Sequence, residues 1–372
     1  MNEMDMPVRF FIGANTPVGF VGYLDDLYDC RDGWRAYLIK SGPGSGKSTL
    51  IKTVMQHMAR LGYDAEAILC SSDPDSLDGV VFRQLKLCLF DATSPHIIEP
   101  HYWGAVEQIV NLSACSDGAL LYERREGIRE ASDACSALHA RCRRFLGAAS
   151  SLLNDNVRTA LEYTDVAKIS RSAARIAARE FGTASSGDGR EWRRFLSAVT
   201  PQGMVTFRET LQALCPRIYS LEDEYGASSR LLLAELRQRA LESGLEIFTC
   251  ACPLSPSDHP EHLLVPSLGV GFTTSNSWHK ADFPVYRRIH AARFTDMDAL
   301  RQKRQRLSFN RRAARELIGE AVTLLEGAKQ IHDQLEDYTV EATDWEMVDE
   351  TTLWVLAEFT RIAEEYAAGE QR

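Results

Sequence analysis

The glycine-rich segment of residues 41–46, Ser-Gly-Pro-Gly-Ser-Gly, is the strongest constraint on how this chain can fold. It follows an apolar stretch that ends in Leu38 and Ile39, and it precedes Lys47, Ser48 and a helical apolar pattern. Glycines let a loop curl so that its backbone N–H groups point inward, and the following helix adds the positive end of its dipole. The segment therefore predicts a strand, an anion-binding loop and a helix, as in a phosphate-binding loop.

The residue types in this loop predict how a nucleoside triphosphate and Mg²⁺ would be held. Lys47 would reach the β- and γ-phosphates as a point charge, and the hydroxyl of Ser48 would complete the coordination of Mg²⁺. The general pattern has a glycine where this chain has Ser41, so the match is incomplete there. The predicted nucleotide-binding residues are Gly42, Pro43, Gly44, Ser45, Gly46, Lys47, Ser48 and Thr49, of which Thr49 lies one residue further round the helix.

A second apolar stretch supplies a predicted magnesium ligand. Residues 85–90 read as a buried strand that closes on Asp91. P-loop proteins hold magnesium from such a position, and we expect Asp91 to act with Ser48 on Mg²⁺, through a water molecule. A strand that ends in aspartate is common in unrelated folds, so this prediction depends on the glycine-rich loop beside it.

Hydrolysis also needs a group that orients or deprotonates water near the γ-phosphate. Asp73, Asp75, Asp78 and His96 follow strands, where open α/β sheets place their sites. Asp78 and His96 are the preferred pair. The competing explanations are that Asp-Pro-Asp-Ser forms a tight turn by itself and that His96 caps a strand end.

The chain contains an internal duplication, which fixes two units. An offset of 184 residues relates Thr16, Pro17 and Gly19 to Thr200, Pro201 and Gly203. An offset of 182 relates Gly62, Cys70 and Pro74 to Gly244, Cys252 and Pro256.

The second copy has lost the residues predicted to bind phosphate and magnesium. At an offset of 182, Ser229 and Arg230 stand where the first copy has Lys47 and Ser48, and at an offset of 183 Thr274 corresponds to Asp91. The preceding carboxylates Glu222, Asp223 and Glu224 would repel a triphosphate at close range. We therefore expect a non-hydrolysing copy, in which Arg230 is an exposed helix residue or, as an alternative, an arginine finger for the first site.

The predicted fold class is α/β, with two P-loop NTPase-like units of mainly parallel strands, each followed by a helical extension. The predicted segments are a nucleotide-binding unit at 1–117, a helical arm at 118–181, a linker at 182–189, a degenerate unit at 190–281 and a second helical arm at 282–372. A turn is predicted at residues 154–156.

Composition excludes several classes of protein. The net charge of −10 argues against a nucleic-acid-binding surface, and we expect no membrane partner. A basic stripe over residues 287–315 could bind phosphate, but pairing with the acidic residues 336–350 in a helical hairpin is preferred. The nine cysteines and the absence of a signal-like N-terminus favour a reduced, cytoplasmic protein.

A zinc site is a further possibility that the residue types suggest. Cys250, Cys252, His259 and His262 could ligate zinc, but their spacing is not a standard one. Since Cys252 matches Cys70, a thiol at a strand end explains it better.

The sequence resembles a family of bacterial tandem P-loop ATPases, in which two such units follow one another. The resemblance covers most of the chain and is carried by residues 11–16, the glycine-rich loop, residues 70–79, residues 91–96, residues 104–107 and residues 111–112. Family members usually have two leading glycines in the first loop and a second Gly-Lys-Ser/Thr loop, and this chain departs at both places. The resemblance implies the fold and ATP, but only one active site.

The expected function is Mg-ATP binding and slow hydrolysis by the N-terminal half, used as a conformational switch. ATP rather than GTP rests on the resemblance, together with the lack of an Asn-Lys-x-Asp sequence. One alternative is a kinase that transfers the γ-phosphate to a small acceptor. Another is a nucleotide-gated binding module without turnover, whose helical arms bind a protein partner.

Overall fold

A computed structural model describes residues 8–182 and 188–370 of the chain. The predicted linker at 182–189 therefore lies largely outside the described residues. The strands are β1 (Arg9–Phe11), β2 (Gly13–Thr16), β3 (Gly19–Gly22), β4 (Arg35–Lys40), β5 (Glu66–Leu69), β6 (Leu77–Phe82), β7 (Leu87–Asp91), β8 (Glu107–Asn111), β9 (Arg190–Arg194), β10 (Ser197–Thr200), β11 (Gly203–Thr206), β12 (Arg217–Glu222), β13 (Glu246–Ala251), β14 (Pro260–Val265), β15 (Val270–Ser275) and β16 (Arg287–His290). The helices are α1 (Lys47–Arg60), α2 (Gly118–Glu123), α3 (Arg125–Leu161), α4 (Val166–Glu180), α5 (Arg208–Leu214), α6 (Ala227–Glu242), α7 (Met297–Arg301), α8 (Arg304–Ala342) and α9 (Trp345–Glu370).

The strands form two mostly parallel sheets, which share one topology. The first sheet has the order β1-β5-β6-β7-β4-β8, and the second has the order β9-β13-β14-β15-β12-β16. In each sheet the third strand, β6 or β14, runs antiparallel to its neighbours. Each copy also has a two-stranded hairpin, β2–β3 or β10–β11. The fold is thus mixed α/β with two repeated units, as the duplication predicts.

The elements around the glycine-rich loop follow the sequence pattern closely. The first four residues of β7 are buried, as expected for a central strand with both faces covered. Helix α1 buries an apolar face of Leu50, Ile51, Val54, Met55 and Met58. It ends before Gly62, whose φ of 88° suits the left-handed position that terminates a helix.

The compact units do not coincide with the predicted contiguous halves. The first unit is formed by the described residues of Met1–Gly13, Gly22–Ala140 and Leu324–Arg372, and the second by those of Ala14–Val21 and Arg141–Thr323. Helix α9 packs on α1 of the first sheet, and α4 packs on α6 of the second. Each sheet is therefore covered by the helical arm of the other half of the chain.

The length of α3 and α8 explains this exchange. They contain 37 and 39 residues, which at 1.5 Å per residue makes each about 55 Å long. Helices of this length place α4, which follows α3, and α9, which follows α8, far from the sheet that precedes them in the chain. The exchange is symmetric, because the N–H of Asp117 donates to Ala342 in the first unit and that of Asp296 donates to Tyr163 in the second.

Two local predictions are wrong for the same reason. Residues 154–156 lie inside α3 rather than in a turn. The basic residues 304–315 and the acidic residues 336–342 lie on the single helix α8, so they cannot pair in a hairpin. Neither segment contains a proline, and a helix continues through isolated polar residues or glycines at a modest energetic cost. None of the helices in the described residues is long and apolar enough to cross a bilayer.

Candidate functional site

The glycine-rich loop, residues 41–46, joins β4 to α1 at the carboxyl end of the first sheet. Gly44 and Gly46 have φ values of 72° and 84°, which residues with a side chain rarely adopt. Gly46 is the N-cap of α1 and offers no side-chain acceptor to the first amides of that helix. The loop therefore combines a tight backbone with the positive end of a helix.

Lys47 and Asp91 converge beside this loop. Asp91 pairs in register with Ile39, because β7 lies next to β4. The Nζ of Lys47 lies 3.6 Å from Oδ2 of Asp91 and also donates to the carbonyl of Gly42. Burial raises the pKa of Asp91, while Lys47 and the hydrogen bonds from Thr93 oppose that shift. The structure thus brings these two predicted site residues together.

Ser48 follows Lys47 on the first turn of α1, and its hydroxyl oxygen accepts a 2.9 Å hydrogen bond from the N–H of Leu77. A hydroxyl oxygen has a second lone pair, so Ser48 can still ligate a cation. Ser45 is buried and donates to Gly42, whereas Thr49 is exposed.

Asp78 and His96 are in contact, as the preferred pair requires. Oδ2 of Asp78 lies 3.0 Å from Nε2 of His96, and both residues are buried. Burial alone would lower the pKa of His96, but the adjacent Asp78 carboxylate and Asp91 raise it above its usual value. Burial and Asp78 together raise the pKa of the Cys70 thiol well above its usual value. The ligand atoms of Cys70, Asp78 and His96 lie within 4.8 Å of one another, so Cys70 is a third member of this group, which the sequence motifs did not predict.

The other two predicted aspartates lie elsewhere. Asp73 forms an ion pair with Lys329 of α8 at 3.4 Å, and Asp75 is exposed. Neither is brought to Lys47 and Asp91 by a described contact, so the alternative explanation as turn residues suits both.

The C-terminal arm covers the glycine-rich loop. An ideal Cβ at Gly44 would lie 2.7 Å from the carbonyl oxygen of Glu336 on α8. A Cβ at Gly46 would lie 3.2 Å from the ring of Trp345, the first residue of α9. The sequence gives no signal for this contact, since it depends on the exchange of the helical arms.

The loop of the second unit is closed by its own side chain. Helix α6 begins at Ala227, so only residues 223–226 separate it from β12. The Asp223 carboxylate accepts hydrogen bonds from the N–H groups of Tyr225, Gly226 and Ser229. The amides that could bind a phosphate in this loop are thus already bonded to a carboxylate, which would also repel a phosphate.

Arg230 lies on α6 of the second unit, where it forms a 2.8 Å ion pair with Asp258. This contact lies within the second unit and suits the alternative of an ordinary helix residue better than that of an arginine finger.

A buried polar cluster stands in the second unit around Glu261. The carboxylate accepts a 2.6 Å hydrogen bond from Ser197, and it lies 2.8 Å from Nε2 of His279 and 3.3 Å from Nε2 of His262. The potential metal-binding groups among the described residues do not include the predicted zinc set of Cys250, Cys252, His259 and His262. The zinc possibility at that set therefore finds no support in the structure.

A cavity of about 80 Å³ lies next to this cluster, also in the second unit. This is room for several water molecules. Glu224, Arg230 and Arg311 line it, and they are already engaged in ion pairs, Glu224 with Arg311 at 2.6 Å. The cavity therefore differs in chemistry from the first-unit loop, whose amides face no such carboxylate in the described contacts.

Comparison with known proteins finds no relative. No family profile matches the chain, and no curated protein or solved structure matches it.

Proposed function

We propose that the chain is a P-loop nucleoside triphosphatase that binds Mg-ATP at the glycine-rich loop of its first unit and hydrolyses it. Gly42, Gly44 and Gly46 would present backbone N–H groups to the phosphates, and Lys47 would contact the β- and γ-phosphates. Ser48 and Asp91 would hold Mg²⁺, the latter through water.

The observation that carries this proposal is the convergence of Lys47 and Asp91, 3.6 Å apart, at the start of α1. Asp91 ends β7, and Lys47 follows the loop that leaves the neighbouring parallel strand β4, so both residues lie at the same edge of the sheet. An ammonium, a carboxylate, a hydroxyl and free helix amides at one point form a set that suits a phosphate and a magnesium ion together. The preference for ATP rests on the resemblance to tandem P-loop ATPases.

The contact between the loop and the C-terminal arm supports a switching role. The Gly44 backbone packs directly against the backbone of Glu336, and Gly46 packs against Trp345. A change in the loop conformation on nucleotide binding would displace α8 and α9, because closely packed elements cannot deform continuously. We accordingly propose that ATP binding alters how this arm packs on the first sheet. None of the nine cysteines is in a disulfide, which supports a reducing compartment such as the cytoplasm.

Phosphate release from Mg-ATP tests this proposal. Lys47→Ala should lower the rate by about 100-fold or more, since it removes a charge that stabilises the transition state. Lys52→Ala is the matched control, because Lys52 is exposed on the same helix, and it should leave the rate unchanged. Equal rates in Lys47→Ala and the wild type would overturn the proposal. If ATP raises the thermal stability of the wild type only, and no phosphate is released, the proposal of hydrolysis is overturned and that of nucleotide binding is retained.

A further inference from the structure

The group of Cys70, Asp78 and His96 recurs in the second unit, although the predicted phosphate-binding residues do not. In β6 and β7, Gly79 pairs with Phe90, and at the same positions of β14 and β15, His262 pairs with Thr273. Asp78, which precedes Gly79, therefore corresponds to Glu261, which precedes His262. The corresponding residues of the second unit are Cys252, Glu261 and His279. The group therefore persists in a unit that lacks Lys47 and Asp91.

In the second unit, side chains of the protein satisfy the carboxylate of this group. Glu261 is held by Ser197, His262 and His279, all within 3.3 Å. These contacts account for both carboxylate oxygens, so no additional ligand is needed there.

In the first unit, the corresponding positions carry no hydrogen-bonding side chain. Gly13 and Gly79 stand where the second unit has Ser197 and His262, and the ring of Phe90 fills the space beside Gly79. Asp78 is only 6% exposed; its Oδ2 lies 3.0 Å from Nε2 of His96, and the Cys70 thiol lies beside the pair. Buried carboxylates are paired or ligate metal ions, because a buried charge without either is costly.

We propose that Cys70, Asp78 and His96 form a binding site for a divalent transition-metal ion such as Zn²⁺. Their ligand atoms all lie within 4.8 Å of one another. Zinc takes nitrogen, oxygen and sulfur ligands at about 2.0–2.3 Å, so small side-chain movements bring all three onto one ion. Three protein ligands leave a fourth position for water.

The ligand types select the metal. Thiolate and imidazole favour zinc and related ions over Mg²⁺, which prefers oxygen ligands. The ion would also deprotonate the Cys70 thiol. This site uses other ligands than the magnesium site proposed at Ser48 and Asp91 and does not rest on it. In this proposal Asp78 and His96 are metal ligands, whereas the sequence predicted that they orient or deprotonate the attacking water directly.

Titration of the full-length, reduced protein with Co²⁺ tests the site. One equivalent should bind and give a thiolate-to-cobalt charge-transfer band in the near ultraviolet, which Zn²⁺ removes and excess Mg²⁺ does not. Cys70→Ser should abolish the band and weaken binding by more than about 10-fold, because it removes a ligand rather than an outer partner. Cys252→Ser is the matched control and should retain the band. Lys47→Ala should retain it too, so failure of the nucleotide proposal is distinguishable.

Three results would overturn this proposal. The folded wild type could give no charge-transfer band, the band could survive Cys70→Ser, or the band could be lost in Cys252→Ser. If circular dichroism shows that Cys70→Ser does not fold, Asp78→Asn and His96→Gln replace it. Each of these removes one ligand and keeps the thiol, so each should weaken cobalt binding, and unchanged affinity in both would contradict the proposal.

Discussion

The carboxylate of Asp223 accepts a 2.8 Å hydrogen bond from the backbone N–H of Ser229, near the start of α6. Its other oxygen accepts hydrogen bonds from the N–H groups of Tyr225 and Gly226. An anion at a helix N-terminus is stabilised by the free amides and by the helix dipole. The second unit thus supplies from its own chain the negative charge that the first unit would take from a phosphate.

Asp223→Ala should destabilise the second unit by about 1–2 kcal/mol, since it removes a helix cap. Sulfate should restore part of the loss, because the freed amides can bind an anion. Urea denaturation of the variant and the wild type, with and without sulfate, measures both effects. Asp258→Ala is the control, since Asp258 is largely exposed in its ion pair with Arg230. Equal losses in the two variants, or equal stabilisation of Asp223→Ala and wild type by sulfate, would contradict this explanation.

Gly44→Ala should destabilise the first unit more than Gly62→Ala does. Both glycines have positive φ, so both variants incur a conformational strain of about 1 kcal/mol. A Cβ at Gly44 would in addition meet the backbone of Glu336, whereas nothing lies within 4 Å of one at Gly62. Thermal denaturation of the two variants separates clash from strain. Similar midpoints would mean that α8 does not pack on the loop.

Asp91→Asn should make nucleotide binding insensitive to magnesium. The amide keeps the size of Asp91 but loses the charge that faces Lys47 and would attract Mg²⁺. Calorimetric titration with ATP, in magnesium and in EDTA, should show a large effect of magnesium in the wild type and little in the variant. An undiminished effect in the variant would remove Asp91 from the magnesium site.

Glu180→Gln should weaken the second unit in a pH-dependent way. Burial opposes ionisation of Glu180, but hydrogen bonds from Tyr219 and Arg179 and the charge of Arg217 outweigh it and lower its pKa. A depressed pKa stabilises the fold above the unfolded value, about 4.5, and this contribution is lost as pH falls through the folded pKa. The variant should lose about 1–3 kcal/mol at pH 7, the typical value of hydrogen bonds to a charged group.

Urea denaturation of Glu180→Gln and the wild type between pH 7 and pH 3 checks this sign. The difference in the free energy of unfolding should shrink below pH 4.5. A difference that is constant over the whole range would show that the charge of Glu180 does not matter.

Local features of the fold were predictable because local chemistry determines them. The glycines around α1, the apolar run of β7 and the Thr16–Gly19 turn each specify one conformation, and the duplication predicts two similar sheets. The turn closes the hairpin of β2 and β3, but β3 has only four residues, which are too few for periodicity to distinguish a strand from a helix.

The exchange of the helical arms was not predictable in this way. The apolar faces of α4 and α9 show that these helices pack on something, but periodicity does not identify which sheet. The contact of Glu336 with Gly44 depends on that choice, so it could not be inferred either. In contrast, comparison of the two copies could have found Cys70, since Cys252, Glu261 and His279 repeat its group.

The most direct test of the central claim is the stoichiometry of Mg-ATP binding to the full chain, measured by isothermal titration calorimetry. We predict one site per chain, because the Asp223 carboxylate occupies the amides of the second loop, and no binding by Lys47→Ala. The Lys52→Ala variant should bind like the wild type. Two sites per chain, or binding that survives Lys47→Ala, would contradict the assignment of the nucleotide to the loop of residues 41–46.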